Sequence, residues 1–163
     1  MRLRVMLGAA AVVAVVAVAL VGVVGAGAQG SSKPSKALFA VLTGKKEVSS
    51  TGERGVGDPN GRGTFSGMFD GNELCYGLTV KNIEDPIAAH IHVGSPNEAG
   101  DIVVPLTEPT SGDPGASSDC VEVNEPPGLA RRIQKNPRKY YVNVHTQDFP
   151  GGAVRGQLFG KRN

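Results

Sequence analysis

The chain has 163 residues, with 17 Lys and Arg against 15 Asp and Glu, two cysteines and no tryptophan. Two of the arginines, Arg2 and Arg4, precede an apolar run, and without them the basic and acidic residues are equal in number, which excludes the strong positive charge of a nucleic-acid-binding protein. The length suits one domain, whose core must come mainly from Val, Ile and Leu.

Residues 1–28 have the pattern of a secretory signal peptide. A basic start is followed by an uncharged apolar run from Val5 to Val24 and by the small residues Ala-Gly-Ala at 26–28. We expect cleavage after Ala28; an uncleaved membrane anchor is the alternative, because about 20 apolar residues can span a bilayer. In both cases the sequence predicts a secreted or extracytoplasmic protein that meets the membrane only through an uncleaved N-terminal segment. Residues 29–36 then form a linker and residues 37–160 a domain.

Short strand-like runs with turn residues between them fill the domain. They are Leu38–Thr43, Gly63–Phe69, Leu74–Val80, Ile87–Val93, Ile102–Leu106, Cys120–Val123, Tyr140–Thr146 and Ala153–Phe159. Asp70-Gly71-Asn72 predicts a tight hairpin turn, and Gly- and Pro-rich stretches, among them Pro109 to Ser118, separate other runs. Eight such runs predict an all-β sandwich or barrel, and we expect a single antiparallel β-sandwich with Greek-key connections.

Alternation along these runs predicts which side chains face the core. The inward set is Leu74, Tyr76, Leu78, Val80, Ile87, Ala89, Ile91, Val93, Val142, Val144, Val154 and Leu158. Cys75 then lies on the outer face of its strand. Because two cysteines in an exported chain most often pair, we expect a disulfide between Cys75 and Cys120 on that face; two free thiols are the alternative.

All three histidines occur in two of the predicted strands. His90 and His92 point to one face of their strand, opposite to Ala89 and Ile91. His145 likewise points away from the core-facing side of its own strand. If these strands are neighbours, three imidazoles converge on the outer surface of the sheet, and imidazole suits both copper and zinc. A solvated or hydrogen-bonding role is the alternative for each histidine.

One segment departs from the strand pattern. From Gly128 to Asn136 the spacing of Leu129 and Ile133 predicts a short amphipathic helix, which Pro137 ends. Arg131, Arg132, Lys135, Arg138 and Lys139 make this stretch basic. A solvated surface is the simpler interpretation, and an anionic partner is the alternative.

Read in order, these segments resemble the CHRD domain, a family named for the repeats of chordin and also found in exported bacterial proteins. The motifs that carry the resemblance are Leu42-Thr43-Gly44 with Glu47-Val48, Gly63-Thr64-Phe65, Leu74–Val80, Ala89–Gly94, Gly100–Leu106, Tyr141–Thr146 and Pro150–Leu158. The chain departs from the family pattern at Ser49-Ser50, where prolines are common, and at Val154, where an acidic residue is common.

The resemblance implies an extracytoplasmic binding or structural module that acts by protein or surface contacts. We find no nucleophile–base motif in the sequence, and we therefore expect a non-catalytic protein with an unidentified extracytoplasmic partner or surface ligand. The alternative is a copper- or zinc-binding protein that uses His90, His92 and His145.

A weaker, architectural resemblance favours this alternative. Copper/zinc superoxide dismutase is a β-sandwich that also carries a His-x-His pair on the outer face of a strand. On the same face of this chain, Tyr141, Asn143, Arg155 and Gln157 are expected near the histidines. Three ligands would leave an open coordination position, near which Arg155 could attract an anion; a salt bridge or surface role is the alternative for Arg155.

Overall fold

The structure, a computed structural model, describes residues 37–160, so the predicted signal peptide and linker lie outside the described residues. The strands are β1 (Ala37–Thr43), β2 (Arg62–Asp70), β3 (Glu73–Lys81), β4 (Pro86–Val93), β5 (Ile102–Leu106), β6 (Gly115–Glu122), β7 (Tyr140–Thr146), β8 (Val154–Gln157) and β9 (Phe159–Gly160). One helix, α1 (Leu129–Lys135), and two 3₁₀ turns, Gly44–Lys46 and Pro137–Lys139, complete the described elements. None of the helices in residues 37–160 has the length and apolar character needed to cross a membrane.

All nine strands belong to one antiparallel sheet. Its order is β5-β4-β7-β8-β1-β2-β3-β6, and β9 pairs with β1. The chain crosses three times between the half that contains β1, β2, β3 and β6 and the half that contains β4, β5, β7 and β8. These crossings are the connections from β3 to β4, from β5 to β6 and from β6 to β7. The predicted all-β, antiparallel fold is therefore confirmed.

One cluster of buried side chains joins the two halves of the sheet. It contains Phe65, Leu74 and Leu78 from the first half together with Ile91 and Val142 from the second. The helix α1 adds Leu129, Ala130 and Ile133 to the same cluster. Alternating burial along β3 is the physical basis of this core, because every second side chain of a strand points to the same face.

The two edge strands of the sheet approach each other at Thr107, the residue that follows β5. Its backbone N–H donates a hydrogen bond of 2.7 Å to Oη of Tyr76 on β3, and its hydroxyl donates one of 2.9 Å to Asp119 on β6. The hydroxyl of Ser117 on β6 donates in turn to the carbonyl of Thr107 at 2.7 Å. The sheet is therefore nearly closed, and this closing contact protects both edges.

The hairpin predicted at Asp70-Gly71-Asn72 is present. Asp70 pairs with Glu73, which leaves Gly71 and Asn72 as a two-residue loop. Gly71 has a φ of 60°, a left-handed conformation that glycine adopts without a steric cost. This turn sets the register of β2 on β3 over nine residue pairs.

The two cysteines form a disulfide on the outer face of the sheet, as the alternation predicts. Cys75 on β3 and Cys120 on β6 are direct cross-strand partners, and both are exposed. Among the described residues there is no free cysteine.

Four predicted strands differ from the structure by one residue at one or both ends, and two differ by more. The predicted Cys120–Val123 run begins at Gly115, inside the stretch that we interpreted as a breaker. Its residues are mostly polar and exposed, because this edge strand is held by backbone pairing with β3 and not by an apolar face. The predicted Ala153–Phe159 run is divided at Leu158, where the chain leaves β7 and pairs with β1 instead.

The predicted inward orientation of Ile87 and Val93 on β4 is wrong. Ile87 is 56% exposed and Val93 is 39% exposed. Ile87 lies where the pairing of β4 with β7 skips a residue, and a bulge of this kind changes the face to which a side chain points. Val93 is the last residue of its strand. The other predicted core residues, from Leu74 to Leu158, are buried.

Candidate metal centre

The three histidines lie on adjacent strands, because β4 pairs with β7. In this pairing His90 is opposite Asn143, His92 is opposite Tyr141, and His145 is opposite Ala88. His90 and His145 are thus diagonal neighbours on one face of the sheet, a position from which long side chains reach each other. One ring nitrogen from each histidine lies within 4.8 Å of those of the other two.

His92 has a buried ring nitrogen without a hydrogen-bond partner. Its Nδ1 lies 2.8 Å from the carbonyl of Gly100, so Nδ1 carries the proton and donates it to that oxygen. The lone pair is then on Nε2, which is buried and has no partner. A buried polar atom without a partner costs free energy, and it indicates an unfilled interaction at this point.

His145 is held by the same kind of contact. Its Nδ1 lies 2.9 Å from the carbonyl of Pro150, which leaves the lone pair on Nε2. That Nε2 lies 3.1 Å from Nδ1 of His90. Metal-binding histidines characteristically donate their second N–H to a carbonyl or carboxylate, which fixes the tautomer and the ring orientation. Both His92 and His145 have this arrangement.

The environment favours the neutral, metal-binding form of all three imidazoles. Burial, followed by the neighbouring His145 and His92, lowers the pKa of His90 to about 4. Burial also lowers the pKa of His92 and of His145, against the opposing effect of their carbonyl partners. At neutral pH the three rings are therefore in the neutral form, with one N–H and one lone pair each.

A stack of planar groups supports His92. The rings of His92 and Tyr141 are parallel, with centroids 4.8 Å apart. On the Tyr141 ring lies the guanidinium of Arg155, with its central carbon 3.3 Å from the ring centroid. Nη2 of Arg155 donates hydrogen bonds to the carbonyls of Ser95 and Glu98, at 2.8 and 2.9 Å. Arg155 therefore fixes both the stack and the loop that follows β4.

Gln157 fastens the same loop. Its side-chain amide donates to the carbonyl of Gly94 at 2.6 Å and to that of Arg138 at 2.8 Å. The predicted proximity of Tyr141, Asn143, Arg155 and Gln157 to the histidine strands agrees with the strand register, since Asn143 pairs with Arg155 and Tyr141 with Gln157.

The sequence led us to expect an open outer surface at the histidine face. In the structure this face is largely covered. Tyr141, Asn143 and Arg155 are almost completely buried, and His92 is 7% exposed, whereas His90 and His145 are partly exposed. The covering residues come from the loop 94–100, the β1–β2 connection and the loop 147–152, which supply Gly100, Glu47 and Pro150. Arg155 is accordingly no surface residue: it lies 3.9 Å from the carboxylate of Glu47.

Glu47 is a site residue that the sequence analysis did not assign. Its carboxyl group is buried, and Oε2 has no hydrogen-bond partner. Burial raises the pKa of Glu47 to about 7, against the lowering effects of the Val48 N–H, of Arg155 and of Asn143. The available signal was the Glu47-Val48 motif, which the sequence analysis used only for family resemblance.

A cleft of about 450 Å³ borders the buried groups. Glu47, His92, Tyr141 and Asn143 line it together with residues of the loop 147–152. The cleft gives a small molecule or water access to His92. Main-chain carbonyls such as those of Gly100 and Pro150 have no signature in a sequence, so their contribution could not be predicted.

Comparison with known proteins agrees with the order of motifs along the chain. The family model of the CHRD domain matches residues 38–158, which is most of the chain and nearly all of the described domain. No curated protein matches the chain significantly. The match spans the strands that carry the histidines and the final strands that carry Arg155 and Gln157. The chain belongs to the CHRD domain family.

Proposed function

We propose that this CHRD domain is an exported binding module that holds one copper or zinc ion through His90, His92 and His145. The observation that carries the proposal is the buried Nε2 of His92, which has a lone pair, no partner and a neighbouring pair of histidines. Neutral imidazoles fixed by carbonyl contacts are ready to bind a metal without first losing a proton.

The spacing of the nitrogens supports a shared ion after a small adjustment. Around a three- or four-coordinate ion, metal–nitrogen bonds of about 2.0–2.1 Å place neighbouring ligand nitrogens about 3.3–3.6 Å apart. The Nδ1 of His90 and the Nε2 of His145 are already this close, at 3.1 Å. The widest separation allowed by the cluster, 4.8 Å, exceeds this spacing by about 1.2–1.5 Å, which ring rotation and small backbone movements would have to close on binding.

A site made of three nitrogen ligands has a higher affinity for copper than for zinc. For a given set of nitrogen donors, Cu²⁺ binds more tightly than Zn²⁺, so we expect the same order here. Three protein ligands also leave one coordination position open, and the cleft beside His92 leads toward it. The ion would supply Lewis acidity at that position, while the chain supplies orientation and shields the site from bulk water.

The test is titration calorimetry of the metal-free protein with Cu²⁺ and Zn²⁺, together with elemental analysis. We expect one equivalent to bind, with Cu²⁺ tighter, and His92→Ala to weaken binding by more than the roughly 10–100-fold that loss of an outer contact costs. Ile87→Ala is the control, because it truncates an exposed side chain of the same strand. Equal affinity of the two variants, or no stoichiometric binding by the wild type, would refute the proposal.

The second candidate function is a contact module without a metal or catalysis, as family membership suggests. The disulfide between Cys75 and Cys120 favours action outside the cytoplasm, since such bonds persist in oxidising compartments. The calorimetric test separates the two candidates, because a contact module has no requirement for the unpartnered nitrogen of His92.

A further inference from the structure

The basic stretch noted in the sequence forms an exposed, unpaired group of cations. Arg131, Arg132, Lys135, Arg138 and Lys139, hereafter the basic rim, are all exposed. Among residues 37–160 the one ion pair is that of Arg155 with Glu47, so no carboxylate lies within salt-bridge distance of the rim. Five cations on nine consecutive residues without acidic partners produce a local positive potential.

The rim adjoins a pair of exposed aromatic rings. The 3₁₀ turn Pro137–Lys139 packs beside β9, where Pro137 approaches Gly160. The preceding residue of β9, Phe159, contacts Phe39 of β1 with ring centroids 5.9 Å apart. Phe159 is 42% exposed and Phe39 is 37% exposed. Cations beside exposed aromatic rings are the combination found where proteins lie on a bilayer surface.

Other exposed apolar side chains lie at the same end of the sheet. Ala37 pairs with Met68, His92 with Ile102 and Val93 with Tyr140, so all of these residues are at the end where the basic rim connects to β7. Met68 and Ile102 are each more than half exposed. Five of the seven large exposed apolar side chains in the described chain, namely Phe39, Met68, Val93, Ile102 and Phe159, are at this end.

The charge of the sequence that flanks the described domain points to an anionic bilayer surface as the occupant. The sequence places Lys33 and Lys36 directly before β1, and Lys161 and Arg162 directly after β9. Since Leu38 pairs with Gly160, the first and last described residues lie close together, beside the aromatic pair.

Acidic residues occupy part of this end of the sheet, and an anionic bilayer would repel that part. Asp70 and Glu73 are at the β2–β3 hairpin, and Glu122 ends β6, next to β3. Asp101 lies beside the end of β4, where its carbonyl accepts the Val93 N–H. The positive region between these groups is the 3₁₀ turn with β9 and the start of β1.

We propose that the basic rim and the Phe39–Phe159 pair dock this domain onto the surface of a bilayer that contains anionic phospholipids. The aromatic rings lie at the level of the headgroups, and the rim contacts the lipid phosphates. The proposal is independent of the metal centre, because His92 lies at this end but is buried, and His90 and His145 lie further from it along β4 and β7.

Vesicle sedimentation tests the docking. The exported protein is mixed with vesicles of phosphatidylcholine, with or without 30% (roughly one lipid in three) phosphatidylglycerol. Because every variant carries the same N-terminal segment, processed or not, the ratio between anionic and neutral vesicles reports on the domain. Each Lys or Arg near an anionic surface contributes about a fivefold factor, so Lys135→Gln/Arg138→Gln/Lys139→Gln should lower this ratio by roughly a hundredfold.

A matched triple variant controls for net charge. Lys45→Gln/Arg54→Gln/Lys81→Gln removes the same charge from exposed residues outside the rim, and it should keep most of the binding. Phe39→Ser/Phe159→Ser should also weaken binding to the vesicles. Added salt should weaken only the contribution of the basic rim, because salt screens charges.

Three results would overturn the proposal. An equal loss in both triple variants would show an unspecific response to charge. Equally tight binding to soluble polyglutamate, with the same dependence on the rim, would assign the surface to an acidic polypeptide. A dimer in solution that Phe39→Ser/Phe159→Ser abolishes, without any change in vesicle binding, would assign the aromatic pair to a second copy of the chain.

Discussion

At the scale of single residues, His92 and Glu47 both carry a buried polar atom without a hydrogen-bond partner, but their chemical roles differ. The imidazole of His92 is neutral and presents an unpartnered lone pair, which makes it a ligand. The carboxyl of Glu47 is also unpartnered at Oε2, but Arg155 lies beside it and burial holds its pKa at about 7. The buried Arg155–Glu47 pair therefore stabilises the domain less than its charges suggest, because both groups are removed from water.

The raised pKa of Glu47 predicts a pH-dependent effect of Glu47→Gln. Between pH 4.5 and about 7 the folded protein holds a proton on Glu47 that the unfolded chain has released, so the contribution of this group to stability is present below pH 4.5 and is lost as the pH rises to 7. Glutamine does not titrate. The stability of the variant relative to wild type should therefore increase with pH over this window.

Urea denaturation with a chelator present, at pH 4.5, 5.5 and 7, measures this difference. Glu53→Gln, which removes an exposed carboxylate of the same β1–β2 connection, is the control. A relative stability that decreases with pH would contradict burial as the dominant influence on Glu47.

At the scale of elements, Arg155 connects β8 to the loop 94–100. Two carbonyls of that loop accept its hydrogen bonds, and the planar guanidinium lies on Tyr141. Lysine has no planar fork and cannot reproduce both contacts. We therefore expect Arg155→Lys to destabilise the domain by about 1–3 kcal/mol and to loosen this loop selectively.

Hydrogen exchange measures the loosening. The amide of Gly100, which donates to Oη of Tyr141, should exchange faster in the variant. The amides of β3 and β6, which lie in the other half of the sheet, provide the internal control. Uniformly faster exchange in both regions would show that Arg155 stabilises the fold as a whole and does not position the loop.

The disulfide stabilises the edge strand β6, whose polar residues provide little burial of their own. It joins residues 45 positions apart, for which the chain-entropy model gives roughly 4 kcal/mol. Cys75→Ala/Cys120→Ala should lower the free energy of unfolding by up to that amount. Thr64→Ala/Thr79→Ala removes an exposed cross-strand hydrogen bond of 2.8 Å and should cost about 1 kcal/mol or less. Denaturation curves in which the two double variants coincide would contradict this role.

At the scale of the whole molecule, stability depends on the single core that joins both halves of the sheet. Leu78 is completely buried in this core, whereas Ile87 is exposed. Leu78→Ala should cost about 2–5 kcal/mol through lost burial and a cavity. Ile87→Ala should change stability by no more than about 0.5 kcal/mol. Chemical denaturation of the two variants checks this, and a small effect at Leu78 would mean that the core is assigned to the wrong face.

The sequence was sufficient to predict the strands, the core faces and the disulfide. Each depends on local information: alternation places Leu74, Leu78 and Val144 inside, and the same alternation places His90, His92 and Cys75 on the opposite face. It failed where local pattern was weak or interrupted, as in the polar strand β6 and at the bulge beside Ile87.

Only the tertiary structure decided what covers the histidine face. Glu47, Gly100 and Pro150 come from three separate connections. Gly100 contacts His92, Pro150 contacts His145 and Glu47 lies beside Arg155, because the sheet brings β4, β7 and β8 together with β1. The end of the sheet at which the basic rim lies was decided in the same way. A local sequence pattern reports which side of its own strand a residue takes, whereas burial of a face depends on contacts between segments far apart in the chain.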